Sequence, residues 1–133
     1  MPLVAAAAAA VAGLTACSSA TATSPALRTI VLDIRFSHFS TTAITARPGE
    51  VVRFVVRNHD PIPHELIVGD QSVQDYHEHG TEAHHGGRPG EVSVAAGSTA
   101  ETTYTLVATG SVLFGCHLPG HWAYGMRGTI QVA

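Results

Sequence analysis

The chain has 133 residues, with 7 basic residues, all arginine, against 10 acidic ones and a formal net charge of -3. That balance excludes a general nucleic-acid binder, which needs a positive surface to displace phosphate counterions, and the length allows one domain rather than two. The unusual number is nine histidines, the commonest metal-ligating residue type.

Leu3 to Ala16 is an apolar stretch shorter than the ~20 residues a spanning helix needs, and its length suits a signal peptide. It ends in Leu14-Thr15-Ala16-Cys17, which resembles a bacterial lipobox: the peptide is cut before the cysteine, whose thiol is lipidated. Residues 1–16 therefore read as a lipoprotein-type signal peptide and Cys17 as the lipidation site. The polar stretch Ser18 to Pro25 makes residues 17–27 a flexible tether. The expected product is exported and held at the cell-surface or periplasmic membrane by its N-terminal lipid. The second cysteine, Cys116, is then left without a disulfide partner.

From Arg28 to Phe36 the chain alternates, with Ile30, Leu32, Ile34 and Phe36 on one side, as in a half-buried strand. Arg47-Pro48-Gly49-Glu50 reads as a turn. Val51 to Arg57 alternates again, Asn58 to Pro63 reads as a loop, and Glu65 to Val68 as a short strand. Gln71 to Gly90 lacks apolar periodicity and reads as a long polar loop with at most a helical turn. Further strands are expected at Glu91 to Val94, Ala100 to Val107, Val112 to Cys116 and Gly128 to Val132. About seven to eight short strands at this spacing predict an all-β domain over residues 28–133, an antiparallel sandwich or small barrel.

The chemistry concentrates in Cys116-His117-Leu118-Pro119-Gly120-His121 and the following Met126. Thiolate and thioether are soft ligands and imidazole is borderline, a mixture that selects copper over hard cations. One Cys and two His with a distant Met is the blue-copper donor set, and His64, at the start of a strand after a Pro-rich loop, supplies the remote histidine. Zinc fits less well, because it rarely uses Met and a second nearby Cys is missing.

These residues resemble the cupredoxins. The Cys116–Met126 segment is similar to the ligand loop of azurin-like members. Asn58-His59-Asp60-Pro61-Ile62-Pro63-His64 resembles the plastocyanin-type approach to the first ligand. The resemblance implies a Greek-key β-sandwich holding one type 1 copper per chain, with His64, Cys116 and His121 equatorial and Met126 axial. It also implies single-electron shuttling between Cu(I) and Cu(II), by a monomer whose redox partner proteins dock near His121. Leu118, Pro119, Trp122, Pro61 and Ile62 are the expected apolar surround of that histidine. Plastocyanins follow the first ligand with an Asn that braces the loop; here the residue is Glu65.

Cys-His-x3-His-x4-Met also resembles a multicopper-oxidase motif, but those enzymes carry a His before the Cys, where this chain has Gly115, and need several His-x-His pairs. His117, next to Cys116 along a strand, points to the opposite face and is expected at the surface. No acid–base pair or nucleophile–base arrangement is evident, so no enzymatic activity is expected. The polar stretch around His77, His79, His84 and His85 forms a second cluster of imidazoles with carboxylates, a candidate for weaker Cu(II) or Zn(II) binding. That feature supports a different expectation: copper acquisition, delivery or resistance.

Overall fold

The computed structural model describes residues 27–133 apart from Ala83. The expected signal peptide, Cys17 and the tether as far as residue 26 lie outside the described residues. The chain runs β1 (Leu27–Arg35), β2 (His38–Phe39), β3 (Ala43–Ala46), β4 (Glu50–Asn58), β5 (His64–Gly69), α1 (Gln71–Glu78), β6 (Glu91–Val94), β7 (Thr99–Leu106), β8 (Gly110–Gly115), α2 (His121–Tyr124) and β9 (Arg127–Val132). One sheet has the order β2-β1-β4-β7 and the other β3-β9-β8-β5-β6. Among the described residues no helix is long and apolar enough to cross a membrane.

The alternation in β1 and β4 does what its period demands. Leu32, Ile34, Val52, Phe54 and Val56 turn inward and are fully buried, meeting Leu66, Phe114 and Ile130 of the second sheet. Each such side chain contributes about 1.5–3 kcal/mol on burial, so this face sets the register of both sheets. The sandwich differs from the expected antiparallel one in two pairings: β1 runs parallel to β4, and β3 parallel to β9. The cause is the path between β1 and β4. It crosses to the other sheet as β3, so the chain returns in its original direction instead of folding back as a hairpin.

Three further differences have physical reasons. β2 and β3 have 2 and 4 residues, too few to show a period. Gln71–Glu78 is a helix, N-capped by Asp70, whose side chain accepts from the Val73 N–H. It escapes hydrophobic periodicity because the residues it buries, Gln74 and His77, are polar. And β1 ends one residue early: Phe36 is 85 % exposed, and both it and Ser37 have positive φ, 53° and 56°.

That turn is held from outside. The Asp60 carboxylate accepts the N–H groups of Phe36 and Ser37, both at 2.7 Å, and a third bond from His64 Nε2 at 2.9 Å. Burial pushes the Asp60 carboxyl up, but the Ser37 and Phe36 N–H groups, followed by His64, more than offset this and hold it below its ordinary value. Asp60→Ala should therefore destabilise the metal-free domain by about 2–4 kcal/mol, since two backbone donors in strained conformations lose a charged acceptor. A depressed carboxylate stabilises fully above its unfolded pKa and loses that contribution as pH falls through its folded one. In urea titrations the gap between wild type and variant should thus be full at neutral pH and shrink below about pH 4. A gap independent of pH would show that the carboxylate charge is not what holds the turn.

Candidate metal centre

β5 begins at His64 and β8 ends beside Cys116, so the sheet itself brings these two residues together. The loop before His64 is built on Asn58, 2 % exposed: its Nδ2 donates to the carbonyls of Ile62 (2.8 Å) and Ala95 (3.1 Å), and its Oδ1 accepts from the Asp60 N–H (2.9 Å). His121 is delivered by α2, a single turn bracketed by Gly120 (φ 82°) and Gly125 (φ 104°), conformations that favour glycine. Backbone bonds then close the loop: His121 N–H to Leu118, Met126 N–H to His121 and Cys116 N–H to Met126.

The ligand atoms of His64, Cys116 and His121 lie within 4.8 Å of one another, and Cys116 Sγ is 3.3 Å from His121 Nδ1. His64 and Cys116 are buried and His121 is half-buried. Met126 is fully buried, with its backbone bonded to Cys116. His64 donates through Nε2 to Asp60, so its neutral ring presents the Nδ1 lone pair. That Nδ1 is buried without any hydrogen-bond partner, which the structure tolerates nowhere else among the described residues except at His77. Burial lowers the His64 pKa, only partly countered by the Asp60 hydrogen bond, and so favours the neutral ring. An unpartnered imidazole nitrogen facing a thiol and a second imidazole is a donor set that fits copper.

Burial pushes the Cys116 thiol up to about 12, although backbone N–H groups of Leu118 and Glu65 donate to its sulfur and pull the other way. Glu65 also answers for the missing Asn brace: its Oε1 accepts the His117 N–H at 2.8 Å. His117 itself is not at the surface. It does point away from Cys116, but α1 covers that face, leaving its side chain 2 % exposed between Gln74 Oε1 and Glu78 Oε2, each at 2.7 Å, and stacked on Trp122. Position 115 has no room for a side chain, because a Cβ there would strike the Trp122 ring. A histidine before the cysteine is thus excluded sterically as well as by sequence.

Of the expected apolar surround, Ile62 stands 43 % exposed and Pro61 and Pro119 are exposed. Leu118 packs against the core and Trp122 is half-buried beneath the Arg127 guanidinium. Of the four histidines of the polar stretch, His77 and His85 are brought together. His79 donates to the Asp75 carbonyl on the exposed side of α1, and His84 is exposed and outside the group. Glu82 belongs to the polar stretch itself, three residues before His85, whereas Glu91 and Gln74 were not signalled by local spacing, since each acts across elements.

The family model for copper binding proteins of the plastocyanin/azurin family matches residues 30–133. The chain belongs to that family. It is therefore a copper-binding β-sandwich protein, and copper is its cofactor. A copper-resistant cuproprotein CopI from Rubrivivax gelatinosus is 38 % identical over 98 residues, covering 71 % of this chain and 59 % of that relative. The protein of the same name from Pseudomonas aeruginosa is 28 % identical over 139 residues, covering 80 % and 77 %. Among solved structures, auracyanin B superimposes with a TM-score of 0.67 at 21 % identity, covering 87 % of this chain and 95 % of that one. A multicopper oxidase, mgLAC, superimposes at 0.59 and 17 % identity, with 39 % of its chain covered. These two likenesses concern the fold.

A thiol raised to about 12 carries its proton at neutral pH, so metal uptake must expel it. Apparent copper affinity, measured by chelator competition, should rise about tenfold per pH unit between about pH 7 and about pH 9. A flat profile would mean that Cys116 is already a thiolate without metal.

Proposed function

We propose that this protein handles copper outside the cytoplasm, as part of resistance to the metal, and that His64 Nδ1, Cys116 Sγ and His121 would hold the ion, with Met126 as a further soft donor. The observation that carries this reading is the shared name of its curated relatives, each a copper-resistant cuproprotein, combined with a donor cluster already gathered in the fold. Copper bound there supplies one-electron chemistry between Cu(I) and Cu(II). The chain's own contribution is rigidity. Asp60 fixes the His64 tautomer, the backbone of Met126 fixes Cys116, and the Leu118 and Glu65 N–H groups stabilise sulfur charge.

A second reading is single-electron shuttling to redox partners. It is favoured by His121 being the half-buried member of the three, the natural point of contact for a weak partner. The membrane anchor at Cys17 and the exported location belong to the same proposal: intact mass of the native protein should show an N-terminal diacylated Cys17.

Cu(II) loading should give an intense visible charge-transfer band with narrow copper hyperfine splitting. Cys116→Ser should abolish it, whereas Met126→Leu should keep it and raise the potential. In a copper-sensitive strain lacking the protein, wild type should restore growth on copper and Cys116→Ser should not. Rescue by Cys116→Ser would remove the resistance role from this site. A growth defect without added copper, repaired only by colour-competent variants, would favour the electron-shuttle reading.

A further inference from the structure

Beside α1, on the outer face of the second sheet, lies an open bay whose walls include Glu65, His77, Glu82, His85 and His117. His77, His85, Glu91 and Glu82 each offer one ligand atom there, all within 4.8 Å of one another. We propose that these four residues form a second metal site, separate from Cys116, for a borderline divalent cation, with Cu(II) preferred.

The decisive group is His77. Its side chain is 4 % exposed, its Nδ1 donates to the Val73 carbonyl at 2.7 Å, and its Nε2 is buried with no hydrogen-bond partner. An imidazole left in that state forfeits the bond that a buried polar group ordinarily makes. His85 is equally buried, but its Nδ1 already shares a 3.3 Å hydrogen bond with Glu91 Oε2. Its side chain is 3 % exposed, its Nε2 faces Glu65 Oε2 at 3.4 Å, and its Nδ1 points to the cluster. Each histidine thus turns one nitrogen to a carbonyl or carboxylate and the other to a common centre, the arrangement that metal-binding histidines adopt.

The spacing agrees. His77 Nε2 is 3.4 Å from Glu91 Oε1, and His85 Nδ1 is 3.3 Å from Glu91 Oε2 and 3.7 Å from Glu82 Oε2. Charge-assisted hydrogen bonds close to about 2.7–2.9 Å. Four donor atoms around one first-row ion at about 2.0–2.1 Å stand roughly 2.8–4.2 Å apart over the range from square-planar to tetrahedral arrangements, which brackets these separations. The donors are also held on supports. His77 sits on α1 and Glu91 on β6, while His85 is tied to β6 by its N–H to Ser93 Oγ and by the Ser93 N–H to its carbonyl. The nearby cation is Arg88, 59 % exposed, 3.4 Å from Glu82 and 3.5 Å from Glu91. This one exposed guanidinium pairs with Glu82 and Glu91 while Glu65 adds a third carboxylate to the bay, so carboxylates outnumber it. Two imidazoles and two carboxylates suit borderline first-row metals, and the Irving–Williams order places Cu(II) first.

The test uses the full-length protein with its Cys116 site already filled by one equivalent of copper. A second equivalent of Cu(II) should bind without new intense colour and give an EPR signal with wide hyperfine splitting and nitrogen couplings. His77→Ala and His85→Ala should each weaken that binding by at least about tenfold, and so should the near-isosteric Glu91→Gln. The intense visible band must persist in all three, which shows that the domain is folded and keeps failure here distinct from failure of the Cys116 assignment. His79→Ala should change nothing. A wide signal that is absent, or that survives unchanged in Glu91→Gln and His77→Ala, overturns the site. Calorimetric binding of one Zn(II) with no Cu(II) binding overturns the choice of metal.

Discussion

Glu65 is the group on which the arrangement of this protein turns. It is 3 % exposed, a carboxylate placed where burial is expensive unless every lone pair is used. One oxygen accepts the N–H of His117, the other faces His85, and its own N–H donates to the Cys116 sulfur. Because Glu65 lies on β5 immediately after His64, one strand presents the first imidazole to the sandwich interior and a carboxylate to the opposite face. The strand's alternation thereby ties the Cys116 loop to the bay beside α1. Removing the carboxylate would free the loop backbone at His117 and unseat His85 at once.

The two donor clusters differ in kind because their surroundings differ. Cys116, Met126 and His64 stand among buried aliphatic and aromatic side chains, where soft sulfur ligands lose little by leaving water. His77, His85 and Glu82 line an open bay with Glu91 just behind them, and the Glu82 carboxylate remains partly hydrated. Softness and polarity therefore separate on opposite faces of one sheet. A cation that binds well at the second set has little reason to displace copper from the first.

How much of this was legible in the sequence follows from how local each signal is. Strands with one buried face were readable from period two, and the cluster of His121 and Met126 about Cys116 from spacing within one loop. α1 was not readable, because a helix that buries Gln74 and His77 hides its inward face among polar residues. The polar stretch was recognised as a metal candidate, yet only His77 and His85 converge. At about 100° per residue, His79 lies on nearly the opposite side of α1 from His77. Glu91 joins them through β6, a tertiary fact with no local trace. His117 shows the same limit: strand alternation correctly turned it away from Cys116, but whether that face meets water or a helix depends on an element that periodicity did not reveal.

Burial also distinguishes what the Cys116 site can exchange. His64 and Cys116 expose 1 % and 0 % of their surface, which leaves the half-buried His121 as the donor of the three nearest solvent. His121 rides on a single helical turn in which no residue is buried, hinged by two left-handed glycines. The other two ligands begin or adjoin strands hydrogen-bonded into the sheet, where displacement would break the ladder. Uptake or release of copper on this side would require the His121 turn to shift, whereas passage of an electron would require it to stay still. The stiffness of residues 118–125 is the physical quantity on which a copper-handling role and an electron-shuttling role make opposite demands, and the four backbone bonds from Leu118 to Met126 are what set it.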